Sequence, residues 1–518
     1  MSTKKYSSIS SCGISSMQGV PVEVEVTILP GLPGFEITGL GDSAIREARN
    51  RVRAAIINSG YGFPEGRILA SYAPAWIQKR GTGFDLPLAL AILEASGQIA
   101  RPADQKPLLI MGELTLNGEV LGIPGVLNRL MTAKQKGHFS ECLGPLVNAG
   151  EAELLRKVKY YGVKDLCTAV AVFSGVKIKP EKPEITQINK ITTTSRLDNI
   201  MGQQQAKRAL IIAAAGHHTL LMLGSPGCGK TSLSSCLPGL LPELNEEESL
   251  VVTMIRSALA QGEIIDNLIT TRPFFAPHHS VTKAALIGGG SPLRPGLCTR
   301  AHLGVLFLDE LTEFPKAVLD LLREPLESGK IRIARAREFA NWPADFLLIA
   351  AANPCRCGYA LESNDKCRCT PDQIRQHLHK ISGPLWDRLN LCVTMQSLSG
   401  KDLLNITSVT TDNEQELAAK QIQTCFEIQR ERSFSLGLVK IYRNSNIPVS
   451  DYGKDLRIEK EALDLLSRFG NTHSVTARSF HNMLRGARTI ADLEESYTVK
   501  PDHMAEIMQY RLDLSTLV

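Results

Sequence analysis

The stretch GSPGCGKT at residues 224–231 carries the plainest chemistry in the chain. Gly224, Ser225, Pro226, Gly227, Cys228, Gly229, Lys230 and Thr231 fit the pattern GxxxxGK[ST]. Glycines let backbone N–H groups close around phosphate oxygens, and a following helix N-terminus adds favourable dipole charge. Lys230 is expected to reach the β- and γ-phosphates of a nucleoside triphosphate, and Thr231 to ligate Mg²⁺. The flanks suit this reading. TLLML (219–223) is an apolar strand, and TSLSSCLPGLL is expected to continue as a helix.

Two further segments end buried strands in polar residues. GVLFLDEL (304–311) ends in Asp309 and Glu310. Uncompensated acids at a core edge are costly, so a pair there points to chemistry. Asp309 is placed to hold Mg²⁺ through water, and Glu310 to polarise an attacking water. FLLIAAAN (346–353) ends in Asn353, which could position that water beside the γ-phosphate. Arg388, in SGPLWDRLN, and Arg478, in TARSF, each read alone as a surface ion-pair residue. Taken in order after the other elements, they resemble an arginine finger and a second sensor. An arginine donated across a subunit boundary stabilises transition-state charge and demands an oligomer, normally a ring.

Four of the chain's twelve cysteines, Cys355, Cys357, Cys367 and Cys369, fall in CRCGYALESNDKCRC. Four thiolates suit a tetrahedral zinc site, although C-x-C pairs are tighter than the usual ligand spacing. A redox pair or an iron–sulfur site are the competing readings.

These residues need a scaffold. At 518 residues the chain is too long for one ordinary domain. No apolar run reaches the roughly 20 residues of a membrane span, and MSTKKYSSIS lacks the apolar core of a secretory signal. The expected location is cytoplasmic, with no membrane partner. A net charge of +5 permits nucleic-acid binding without arguing for it. Residues 1–175 read as an α+β domain. VPVEVEVTIL (20–29) alternates as a half-buried strand. Asp42 caps a helix whose apolar stripe is Ala44, Ile45, Ala48, Val52, Ala55 and Ile56. Asn117-Gly118 marks a hairpin in ELTLNGEVL (113–121). Residues 176–192, rich in Lys and Pro, read as a linker. Residues 193–400 alternate strands and helices, as in a parallel α/β sheet. Residues 401–518 read as helical.

The segments NIMGQQQAKRALIIAAAGHH, RPFFAPHHSVTKAALIGGGSPLRPG and ARTIADLE resemble blocks of the magnesium-chelatase-like AAA+ ATPases. Within them the resemblance is nearest to the competence-associated type and runs over essentially the whole chain. It implies a hexameric, ATP- and Mg²⁺-dependent motor on single-stranded and branched DNA. The expected activity is branch migration during natural transformation and recombination, with recombination proteins as candidate partners. The implied fold is an N-terminal Lon-protease-like α+β domain, a P-loop α/β core, and a helical lid carrying Arg478. Spacing and composition by themselves indicate only an NTPase.

SGKIRIARAREFA (328–340) lies where related helicases carry a pore-facing hairpin. Its Lys330, Arg332, Arg335 and Arg337 are candidate phosphate contacts; a solvated basic hairpin is the alternative. Lys283, beside His278 and His279, marks a second candidate loop. KRGTGFDLPLALAIL and the segment 111–137 resemble the Lon protease. Asp85 and Leu127 align with its catalytic serine and lysine, and neither can do that chemistry. Thr82 and Lys79 lie nearby but off the matching positions, so no peptidase activity is expected. The rival function is a chelatase-type ATPase that remodels a protein partner.

Overall fold

The computed structural model describes residues 5–511 apart from 16, 39–42, 76–80, 136–138, 156–157, 177–194, 260–264, 292, 336–337, 363–365, 398–412, 439–441, 449 and 474. The expected linker therefore lies almost wholly outside the described residues, as do the expected cap Asp42, Lys79 and Arg337. The chain divides into two compact units: Met1–Ile188 with Glu246–Ile269, and Asn189–Asn245 with Thr270–Val518.

In the first unit, β1 (Tyr6–Ser15), β2 (Gln18–Leu29), β3 (Gly34–Thr38) and β4 (Arg67–Ala73) form a sheet in the order β1-β2-β4-β3. The alternation expected along β2 holds, with Val22, Val24, Val26 and Ile28 buried. The helix Ser43–Asn58 buries Ile45, Ala48, Val52, Ala55 and Ile56. A smaller parallel sheet orders β5 (Leu108–Ile110), β8 (Glu141–Pro145) and β9 (Lys159–Val163) as β5-β8-β9. Between them, β6 (Glu113–Leu114) and β7 (Val120–Leu121) make the expected hairpin. Its loop is longer than the two residues Asn-Gly suggests. Thr115 bonds Glu119, leaving Leu116, Asn117 and Gly118 as the loop. Gly118 sits at φ +88°, as the third residue of such a loop requires.

The middle of the chain returns to this unit. The helix Glu246–Leu259 lays Leu250 and Met254 against Leu127 and Leu130. Ser257 hydrogen-bonds the Glu151 carboxylate, which also accepts the Leu127 N–H at 2.9 Å. This insertion was not read from the sequence.

The second unit is built on a parallel sheet of β10 (Leu220–Gly224), β11 (Phe274–Phe275), β14 (Val305–Leu308), β17 (Leu347–Ala352) and β18 (Leu391–Met395). Its order is β11-β14-β17-β10-β18, and every neighbouring pair is parallel. β10, β14 and β17 are buried along their whole length. Continuous apolar runs are what a sheet covered on both faces requires. Two short hairpins flank the sheet: β12 (Gly288–Gly289) with β13 (Arg294–Pro295), and β15 (Lys330–Arg335) with β16 (Glu338–Pro343). The helices Gln204–Gly216, Glu414–Ser435, Lys460–Thr472, Ala477–Leu493 and Pro501–Gln509 share one apolar core with the sheet.

The block ARTIADLE acquires a physical meaning here. Arg488 and Arg432 both pair with Asp492, and Asn444 donates to it at 2.8 Å. All four side chains are buried. A buried carboxylate held by two guanidiniums and an amide is a structural knot that fails if one member is lost.

The positions expected to align with the Lon dyad are both engaged inside the first unit. Asp85 is buried and bonds Arg51 Nε at 2.9 Å. Leu127 lies in the apolar core. Thr82 gives its hydroxyl hydrogen bond to Glu113. Burial raises the Asp85 carboxyl to about 6, against the pull of Arg51. Because the folded value is raised, the folded chain binds the extra proton, and Asp85's contribution is lost as pH rises through that value. Above it the buried, ionised carboxylate depends on Arg51, so Arg51→Ala is expected to destabilise this unit by about 3 kcal/mol. The loss in urea unfolding should be largest above pH 6 and shrink below it, where Asp85 takes up a proton. An equal loss at both pH values would refute the ion-pair account.

Candidate nucleotide site

A parallel sheet brings the carboxyl ends of its strands to one edge, and ligands bind there. β10 lies between β17 and β18, and β14 follows β17. The loop after β10, the acids after β14 and the amide after β17 therefore converge.

Ser225–Gly229 follows β10 directly, and the helix Lys230–Ser234 opens at its end. Gly227 and Gly229 sit at φ +80° and +94°, where a side chain would strain the backbone. Lys230 Nζ donates to the carbonyls of Gly224 at 2.7 Å and Ser225 at 2.9 Å, and to Asn353 Oδ1 at 3.3 Å. Thr231 Oγ1 donates to Asp309 Oδ2 at 2.7 Å. A hydroxyl and a carboxylate meeting this way suit Mg²⁺, a hard cation that prefers oxygen. The helix is not continuous as expected. It ends at Ser234, and a second piece spans Leu237–Leu240. Pro238 lacks the N–H that an unbroken helix would need there.

Glu310 is exposed and adopts a left-handed backbone, φ 51°. Its carboxylate lies 3.3 Å from His279 Nδ1. His279 lies against His278 with ring centroids 3.9 Å apart and the planes tilted by 35°, and meets Phe314 edge-on. His279 thus orients the Glu310 carboxylate, a role the sequence reading did not assign. An HH dipeptide carries no such signal, because β11 and β14 must first pair for His279 and Glu310 to meet.

The two arginines are brought to each other through a shared acid. Arg388 Nη2 bonds Glu327 at 2.6 Å, and Arg478 Nη1 lies 3.6 Å from the same carboxylate. Arg388 holds the Glu327 carboxyl below the usual range. Burial, and then the Arg388 charge, lower the Arg478 guanidinium. Neither arginine has a described bond to Lys230, Thr231 or Asp309. Glu327 was missed in the sequence because a lone Glu in a helix has no distinguishing pattern.

Lys330, Arg332 and Arg335 are exposed on β15. Arg335 Nη1 donates to Gly290 O at 2.8 Å, tying this hairpin to β12–β13. Trp342 is buried against Gly288, where a Cβ would come within 2.2 Å of the indole. Phe339, opposite Ala334, is 66% exposed; the sequence reading passed over it. Lys283 opens the helix Lys283–Ile287 and is exposed. Cys355, Cys357, Cys367 and Cys369 place their sulfurs within 4.8 Å of one another and could hold a metal ion.

Residues 196–403 match the family model described as magnesium chelatase, subunit ChlI. Residues 24–148 match subunit ChlI of Mg-chelatase, and residues 413–511 its C-terminal model. Competence protein ComM of Haemophilus influenzae is 37% identical over 499 residues, covering 96% of this chain and 95% of that protein. The YifB protein of Escherichia coli is 37% identical over 496 residues, covering 95% and 94%. The chain belongs to the ComM/YifB type of the magnesium-chelatase-like family. The magnesium-chelatase 38 kDa subunit of Cereibacter sphaeroides is more distant, at 28% identity over 171 residues, 30% of this chain and 51% of that protein. Membership of this ATPase family implies ATP and Mg²⁺, and the Lys230, Thr231 and Asp309 donors fit them. No helix among the described residues is long and apolar enough to cross a membrane.

Two substitutions should separate binding from hydrolysis. Lys230→Ala removes the ammonium expected to contact phosphate and should weaken ATP binding by about tenfold or more. Glu310→Gln is expected to keep binding and to lose turnover, trapping ATP. Equilibrium binding of a fluorescent ATP analogue beside phosphate release distinguishes them; normal turnover by Glu310→Gln would exclude its role on water.

Proposed function

We propose that this protein is a ring-forming, ATP-driven DNA motor that moves branch points during recombination of incoming DNA. The observation that carries the reading is the exposed hairpin of Lys330, Arg332 and Arg335, with the exposed ring of Phe339. Cations that follow phosphates, with an aromatic face for a base, are the chemistry of sequence-independent single-strand binding. The hairpin runs into β17, and Asn353, the residue after that strand, lies beside Lys230. Nucleotide state therefore has a short covalent route to the DNA contacts. The name of the Haemophilus relative, a competence protein, supports the same reading.

In this reading Asp309 and Thr231 hold Mg²⁺, Glu310 activates water, and Asn353 and Lys230 hold the γ-phosphate. Arg388, held by Glu327, acts as the finger on the nucleotide of a neighbouring subunit, and Arg478, beside the same carboxylate, serves as the second sensor. A finger donated in trans requires an oligomer, and the family resemblance implies a hexameric ring. The helices after residue 401 serve as the lid, and the first unit is a Lon-like scaffold without peptidase chemistry. The matches to magnesium-chelatase models favour a second reading, remodelling of a protein partner. Stimulation of ATPase activity by DNA separates the two.

Two outcomes test the proposal. Arg388→Ala and Lys230→Ala chains are each expected to be inactive and to regain part of the ATPase activity when mixed, because intact sites form at some boundaries. Normal hydrolysis by Arg388→Ala alone would place the finger elsewhere. Arg332→Ala with Lys330→Ala should weaken DNA binding and reduce the salt slope by up to about two units, one per lost contact. Branch migration on a synthetic junction should fall while DNA-free ATPase activity survives. Unchanged DNA binding would move the DNA path to another surface.

A further inference from the structure

We propose that Cys355, Cys357, Cys367 and Cys369 bind one zinc ion, and that the loop this ion closes is a wall of the nucleotide site whose occupancy sets nucleotide affinity. The geometry favours a single ion. A Zn–S bond of about 2.3 Å places tetrahedral sulfurs roughly 3.8 Å apart. Cys355 and Cys367 are 3.8 Å apart, Cys357 and Cys367 3.6 Å, and Cys355 and Cys357 3.3 Å. All four converge within 4.8 Å, whereas an iron–sulfur cluster distributes its thiolates over several metal atoms.

The surroundings suit anionic sulfur. Exposed Arg356, Lys366 and Arg368 lie between the ligands in sequence and offset the net negative charge of a four-thiolate zinc centre. No two of these cysteines form a disulfide.

The loop leans on the phosphate-binding segment. Gly358, at φ +88°, packs so closely on Pro226 that a Cβ would lie 2.6 Å from its Cδ. At the other end, Cys355 follows Asn353-Pro354, and Asn353 touches Lys230. His377, just beyond Cys369, donates to the Asn353 carbonyl at 3.2 Å. Without a cross-link, a loop of this length that carries few apolar side chains would pay ordering entropy with little to oppose it. A bound ion removes that cost and presents Gly358 and Asn353 in one arrangement.

The test uses the full chain and no DNA, so its result is independent of the motor proposal. Elemental analysis of protein purified without added metal should find about one zinc per chain. Removing zinc with a thiol-reactive reagent and chelator should weaken binding of a fluorescent ATP analogue several-fold, and reduction with zinc readdition should restore it. Cys367→Ser with Cys369→Ser should lack zinc and show the same weakened binding, with the helical circular dichroism retained. Gly358→Ala should keep zinc and still weaken nucleotide binding. Absence of metal from fully reduced protein, or iron in place of zinc, overturns the assignment. Zinc loss with unchanged nucleotide affinity overturns the coupling.

Discussion

Lys230 can hold its ammonium against two loop carbonyls and Asn353 only while β10 and β17 remain in register. Leu223 pairs with Ala352, so the two strands stop at one level and release their polar residues at the same edge. Leu308 pairs with Ala350, which sets Asp309 against Thr231. Slipping one strand by one residue would turn its side chains to the opposite face. The buried apolar runs of these strands therefore act on the chemistry indirectly, by fixing where each chain turns polar.

Around that edge, charges are managed by pairing. Glu310 is oriented by His279, and Arg388 and Arg478 are gathered on Glu327. These pairs are partly exposed, so each contributes little to stability. Their effect is to hold mobile side chains in a few orientations. Arg432, Arg488 and Asp492 differ, because that group is buried and its loss would open the helical packing behind the sheet.

Local patterns made part of this legible. The alternation of β2, the apolar strands before Ser225 and Asp309, and the glycine spacing of the phosphate loop depend on near neighbours, so the sequence displays them. The break at Ser235 was hidden because Leu233, Leu237 and Leu240 continue a helical stripe through it, while Pro238 only begins a new turn. Glu327, His279 and Phe339 have no local signature. Their roles arise from strands or hairpins distant in sequence. The cysteines were visible as candidate ligands, but the approach of Gly358 to Pro226 was not, because it depends on how two loops at one sheet edge fill the space between them.

The helix Glu246–Leu259 gives the chain an unusual genetic property. A gene fusion that joined two finished domains end to end would leave one crossing point between them. Here the chain passes from one compact unit to the other three times, near residues 188, 245 and 269. Cutting the coding sequence at the Lys- and Pro-rich segment would strip the first unit of Leu250, Met254 and the Ser257 bond to Glu151, leaving an apolar face open. Separate expression of the two halves is thus dissection through a core.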